Sequence, residues 1–249
     1  MTSFFKMHKH LLLLITSIYV VLSCNAQITL EPTESLKGEA IGFVFYGTDG
    51  LSKTIPYSRI KGSPFWKDEW KLASLYTGNR LLYVMPVKLN LATSEIHYLK
   101  NDEIKVLTGV NVTILAFHAD KDTTVTTDVF LRHVPNLRFN NKEIDNYIKV
   151  LNSGQFQLLK YTYRKVDSAD SLFRTQKRYF FINEDYYFLR KNDRIERIKK
   201  LNKESVLEFL PSALSFSPWI AENKIDLRKE EDVIRFLTHY NSSRQNKED

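Results

Sequence analysis

Cysteine is nearly missing from this chain. Of 249 residues only Cys24 is a cysteine, and it lies at the end of an apolar leader. The folded part therefore has no disulfide, no thiolate nucleophile and no cysteine-ligated metal. Zinc motifs are missing too. The histidines beyond the leader are His97, His118, His133 and His239, and none stands in HExxH or HxxxH spacing. The stretch His118-Ala119-Asp120-Lys121-Asp122 fails as a calcium loop, because Val125 stands where glycine is required and Leu131 where the bidentate glutamate is. It reads as a polar turn after a strand. There is no G-x-S-x-G elbow and no S-x-x-K set, and Ser63, Ser153 and Ser168 fall in turns. Asp68 and Glu69 are adjacent, so on a strand they point to opposite faces and cannot share a proton-transfer site. No catalytic residue, metal ligand or cofactor-binding residue is assigned. A glycosidase-type carboxylate pair drawn from distant strands leaves no local signature, which keeps a hydrolase as the alternative reading.

Long apolar runs are confined to the start. Met1 to His10 carries Lys6 and Lys9 and no acid, and Leu11 to Leu22 is rich in Leu, Ile and Val. Small and polar residues follow at Ser23 to Gln27. This is the pattern of a secretory signal peptide over residues 1–26, since the apolar run falls short of the roughly 20 residues a membrane helix needs. Two processing routes fit. Cys24-Asn25-Ala26 before Gln27 is a small-x-small cleavage site, and Val21-Leu22-Ser23-Cys24 resembles a lipobox that would lipidate Cys24. Either places the chain outside the cytoplasm: periplasmic, outer-membrane-associated or secreted. No later segment is apolar enough to span a membrane as a helix.

The formal net charge of +7 falls to +5 once Lys6 and Lys9 are removed, and acids and bases alternate along most of the chain. That balance favours solubility, and no nucleic-acid-binding motif accompanies it. The remainder, about 220 residues, is long enough for one large β domain or two smaller units, with a core that needs no covalent staples.

What the chain does contain is strand pattern. From Leu81 to Leu91 every odd position is apolar, while Arg80, Lys88 and Asn90 are polar. This is the period-2 alternation of a half-buried strand. Gly78-Asn79 turns it back onto Trp70 to Thr77, and Ala92 to Ser94 turns it forward into Ile96 to Leu99. Ile41 to Tyr46 and Lys53 to Ile60, around Gly47 to Gly50, form a first hairpin. Glu103 to Leu107, Val110 to Phe117 and Val125 to Val134 continue the short β-branched runs. Pro135 to Asn141 is a candidate boundary between sub-sheets. Tyr147 to Leu151 and Gln155 to Val166 form another hairpin, Asp167 to Thr175 a polar loop, and Arg178 to Ile182, Tyr186 to Arg190 and Arg194 to Ile198 further strands. The fold expected is mainly β: an antiparallel meander forming a sandwich or partly open barrel over residues 27–200.

The period changes after Lys200. Val206, Leu207, Phe209 and Leu210 form a helical stripe behind Asn202, stopped by Pro211. Glu230 to Tyr240 is the clearest helix, with Val233, Ile234, Leu237 and Tyr240 on one face and three acids in its first turn. A small helical subdomain over 201–241 and a polar tail over 242–249 complete the expectation.

The segments GSPFWKDEW, PVKLNLATSEIHYL, VLNSGQFQLLKYTY, DYYFLRKNDRIERIKKL and WIAENKIDLRKEEDVIRFLTHYN, spread over residues 40–241, resemble a family of secreted β-rich proteins of Bacteroidota to which no activity is assigned. The resemblance implies a β-rich fold, a helical C-terminal part and an extracytoplasmic location. It implies no chemistry.

Two features suit binding. Phe65, Trp66 and Trp70, near Tyr57 and Tyr76, are flat rings of the kind that stack on sugars or anchor a partner, and they equally suit a β core. Trp66 and Trp70 would share a face if both lay on one strand. The basic hairpin with Arg190, Lys191, Arg194, Arg197, Lys199 and Lys200 suits anionic headgroups or glycans, although Asp193 and Glu196 interrupt it. The sequence thus leads to a non-enzymatic envelope or binding module whose partner is an envelope protein or a glycan. A hydrolase of glycans or other envelope polymers is the alternative.

Overall fold

The computed structural model describes residues 42–46, 52–119, 122–171 and 174–248. The leader, the stretch from Gln27 to Glu39 and the turn at Gly47 to Gly50 lie outside them. β1 (Gly42–Tyr46) pairs antiparallel with β2 (Ser52–Pro56), which is the expected first hairpin. A 3-10 turn over Tyr57–Arg59 leads into the two-residue β3 (Ile60–Lys61). Then come β4 (Lys71–Thr77), β5 (Arg80–Asn90), β6 (Glu95–Lys100), β7 (Glu103–Val106), β8 (Ile114–Ala119) and β9 (Asp122–Leu131). The short β10 (Arg138–Phe139), β11 (Lys142–Glu143) and β12 (Ile148–Val150) precede the long β13 (Phe156–Ser171) and β14 (Arg174–Lys191), and β15 (Arg194–Ile198) closes the β part.

The protein is mainly β, and most of its strands form one eleven-stranded sheet that does not close into a barrel. Its order is β15-β14-β13-β12-β9-β8-β4-β5-β6-β7, with β3 added in parallel to β14. All other pairings are antiparallel. Cross-strand partners share a face, so the register defines two faces. One runs through Leu75, Leu115, Phe130, Lys149, Lys160, Tyr187 and Ile198, and the other through Ser74, Ala116, Val129, Val150, Leu159 and Phe188.

The first face carries two clusters. Ala73, Leu75, Val87, Leu89, Leu115, Phe117 and Phe130 pack at the β4–β9 end, and Phe156, Leu158, Leu189 and Ile198 pack beneath the C-terminal helices. On the second face Ile148, Leu159, Tyr161 and Phe188 are covered by Val134, Leu137 and Ile144. The stretch read as a boundary between sub-sheets is therefore a lid on one continuous sheet, held by the apolar Val134 and Leu137 that flank its polar residues.

The loop expected at Asp167 to Thr175, and the break expected between Ile182 and Tyr186, are also absent as such. β13 and β14 pair from Phe156 opposite Lys191 out to Ser171 opposite Arg174. Asn183, Glu184 and Asp185 look like a turn in sequence, yet each is met across the ladder. Arg164 Nε donates to Asn183 Oδ1 (2.7 Å), Lys165 pairs with Glu184 (2.5 Å), and Thr162 Oγ1 donates to Asp185 Oδ1 (2.7 Å). Such cross-strand pairs offset poor intrinsic strand propensity.

Three helices follow: α1 (Lys203–Phe209), α2 (Ser217–Glu222) and α3 (Glu230–Glu248). Asn202 caps α1 by accepting from Ser205 N (2.8 Å). α3 buries Val233, Phe236, Leu237 and Tyr240 completely and continues through the stretch read as a tail. Its last buried residue, Asn241, fixes it to the sheet: Oδ1 accepts from Phe156 N (3.0 Å), while Nδ2 donates to Ser153 O (2.9 Å) and Phe156 O (2.8 Å). Gly154, at φ +106°, leaves room for that amide, since a Cβ there would lie 2.5 Å from Asn241 Nδ2.

Asn241→Leu should strand the buried Phe156 N–H and lower stability by about 2–4 kcal/mol in chemical denaturation. A change below about 0.5 kcal/mol would mean that α3 is held by its apolar stripe alone.

Candidate binding site

Phe65, Trp66 and Trp70 do not form one platform. The segment that holds them is not a regular strand: Phe65 makes a single bridge to Asn90, Trp66 N donates to Leu89 O (2.8 Å), and Leu91 N donates to Pro64 O (2.8 Å). Regular pairing resumes only with Lys71 opposite Val87. Six steps along this segment thus match three along β5, and the odd excess turns the side chains over. Trp66 falls on the first face, where its ring meets Phe117 (4.6 Å between centroids) and Phe130 (5.2 Å). The ring is half-buried and packs against that core cluster. Phe65 and Trp70 fall on the second face with Lys88 and His97.

There they line a cavity of about 220 Å³ together with Tyr57 and Ile104. Lys88 Nζ lies 4.9 Å from the Trp70 ring centroid and 5.4 Å from that of Phe65, within cation–π range. Phe65 stands edge-on to His97 (5.0 Å) and to Tyr57 (6.4 Å). Lys88 and His97 are cross-strand partners on β5 and β6, so the ladder sets their spacing. Tyr57 arrives from the turn before β3, and its hydroxyl accepts from Asn90 Nδ2 (2.9 Å). Burial pushes the Tyr57 phenol up, so its proton is retained.

His97 is almost fully buried, at 1% exposure, and its Nδ1 has no partner. Its Nε2 lies 3.4 Å from Glu95 Oε2, which also accepts from Thr93 Oγ1 (2.6 Å). Burial pushes the Glu95 carboxyl up, but the contacts with His97 and Thr93 outweigh it and hold the group below the usual range. Here the acid sits between the hydroxyl and the imidazole. A triad needs the imidazole in the middle, so Thr93 has no base.

A serine–histidine contact went unseen in the sequence, because the residues are 44 apart and meet only through the β4–β8 ladder. Ser74 Oγ lies 2.8 Å from His118 Nε2, both side chains are buried, and His118 Nδ1 has no partner. With no acid behind the imidazole, this pair is two thirds of a triad. Asp120 and Lys121, the centre of the loop weighed for metal, lie outside the described residues.

On the first face, between Trp66 and α3, Lys160 bonds both Asp185 (2.9 Å) and Glu230 (2.8 Å), and Tyr187 Oη donates to Glu230 (2.7 Å). Lys149 pairs with Asp128 (2.6 Å) beside them. Burial alone would lower the Lys160 ammonium, but the two carboxylates raise it overall. The network ties the first residue of α3 to the sheet. In the basic hairpin, Arg194 is paired with Glu196 and Arg197 lies over the Phe139 and Tyr186 rings (4.6 and 5.0 Å), so its cations are largely engaged.

No protein-family model, curated protein or solved structure matches this chain.

Burial pushes Tyr147, Tyr161 and Tyr187 each up to about 12, and Lys160 is raised as well. These groups hold their protons longer folded than unfolded, so their contribution is complete below about pH 10 and lost as pH rises toward 12. The urea midpoint should stay flat from pH 8 to 10 and fall steeply above it, less steeply in Tyr147→Phe. A midpoint independent of pH up to 11.5 would contradict these environments.

Proposed function

We propose that this protein is a non-catalytic binding module of the cell envelope, exported by its leader, and that its ligand is a glycan unit held in the Tyr57–Phe65–Trp70 cavity. The single observation that carries this reading is the union of three rings, one cation and a buried imidazole around one small cavity. Rings offer an apolar face to the C–H side of a sugar, while Lys88 and Tyr57 Oη supply the sparse polar contacts that orient a ligand. A volume of about 220 Å³ suits one such unit, being below the roughly 300–1,000 Å³ of pockets for drug-sized molecules. Membership of the secreted Bacteroidota family belongs to the same proposal.

A glycan hydrolase would need two carboxylates free for acid and nucleophile work. Asp185 and Glu230 are brought near each other, but the Lys160 ammonium stands bonded to both. That pairing speaks for a structural role and against the hydrolase.

Trp70→Ala should leave the melting temperature within a few degrees of the parent and weaken monosaccharide binding, read by calorimetry with glucose and galacturonate, by about 1–3 kcal/mol. Trp66→Ala should instead destabilise the fold by about 2–4 kcal/mol through the void left against Phe117 and Phe130. Equal binding by parent and Trp70→Ala would remove the cavity from the account.

A further inference from the structure

Beside the cavity lies a much larger groove, about 1,530 Å³, between β2 with the turn after it and the outer part of β14. Its walls carry Arg59, Lys61, Lys177 and Arg178, all exposed. Among the described residues no carboxylate lines the groove, and none of the four cations has an acidic partner. Asp167 lies on β13 opposite Phe180 but outside the lining. The parallel pairing of Ile60 with Tyr179 and Lys61 with Phe180 puts Lys61 and Arg178 on one face of the ladder and Lys177 on the other, so the cations flank the groove. Strand levels 177–180 cover about 10 Å, so four unpaired charges share that length. Tyr179 and Phe181 line the same groove.

Groove and cavity adjoin. Pro56 and Ser58 line both. The Phe181 ring in the groove lies 5.9 Å from the Tyr57 ring in the cavity. A ligand unit seated against Trp70 can thus continue past Tyr57 into the cationic channel.

Building on the glycan reading above, we propose that the ligand is an acidic polysaccharide, one unit of which enters the aromatic cavity while neighbouring carboxylate-bearing units lie against Arg59, Lys61, Lys177 and Arg178. Cations with no acidic partner among the described residues select a polyanion, and they draw it in at long range. Interleaved rings select a chain with stackable faces over a simple ion. The groove is walled by β2 on one side and β14 on the other.

The test is calorimetry on the mature protein with a galacturonate oligomer, a neutral galactose oligomer of equal length and monomeric galacturonate, over a series of salt concentrations. The galacturonate oligomer should bind at least tenfold more tightly than the neutral one, and the advantage should shrink as salt rises. Arg59→Gln, Lys61→Gln, Lys177→Gln and Arg178→Gln combined touch only exposed positions, and circular dichroism and melting check the fold. That variant should lose at least tenfold on the acidic oligomer and keep its affinity for the neutral one, whereas Trp70→Ala should weaken both. Parental affinity of the groove variant for the acidic oligomer, or binding indifferent to salt, overturns the proposal. So does tighter binding of anionic phospholipid vesicles or of a single-stranded oligonucleotide than of the acidic oligomer. If the groove variant fails as expected but Trp70→Ala binds every ligand normally, the polyanion channel stands and the cavity reading falls.

Discussion

One guanidinium, beside two backbone hydrogen bonds to the end of β5, holds the connecting segment in place. Arg164, on β13, donates through Nη1 to the carbonyls of Ser63 (2.8 Å) and Phe65, and through Nε to Asn183. Burial pulls this group below its usual value, with Asp68 and Asp185 acting the other way, but an arginine remains charged. Hydrogen bonds from a charged donor contribute about 1.5–3 kcal/mol each, more than neutral ones. The chain they fix pairs with β14 through β3 and with the end of β5 through Phe65, so it links strands far apart in the sheet order. Whatever the order of folding, Trp66 reaches the core and Phe65 reaches the cavity only while this segment keeps its register.

The two faces of the sheet are used differently. The first face is packed at both ends, by the half-buried Trp66 at one and the α3 stripe at the other, and between them Lys160 with its two carboxylates lines a small polar cavity of about 180 Å³. The second face is sealed only under the 132–147 lid. At its β5–β7 end, Lys88 and His97 stand where apolar residues would have completed a core, and only the rings of the connecting segment cover them.

Local signals made much of this legible. The alternation from Leu81 to Leu91 with the Gly78-Asn79 turn predicted the β4–β5 hairpin, and the stripe from Val233 to Tyr240 predicted α3. What local patterns missed was set by distant partners. Asn183, Glu184 and Asp185 look like a turn until Arg164, Lys165 and Thr162 stand opposite them. Trp66 and Trp70, four apart, look like same-face neighbours until three surplus residues turn the chain over. The cavity was out of reach for the same reason, since Tyr57, Phe65, Lys88 and His97 meet through the β5–β6 register and the Arg164 contact. Phe65 and Trp70 were legible as candidates; their partners were not.

The most direct measurement on this arrangement is galacturonate titration of Arg164→Lys, which keeps the charge and removes the planar fork. Affinity should fall at least tenfold and tryptophan emission should shift to the red as Trp66 loosens, while far-ultraviolet circular dichroism keeps its β signature. Unchanged affinity and emission would contradict the claim that this one side chain sets both the core ring and the binding cavity.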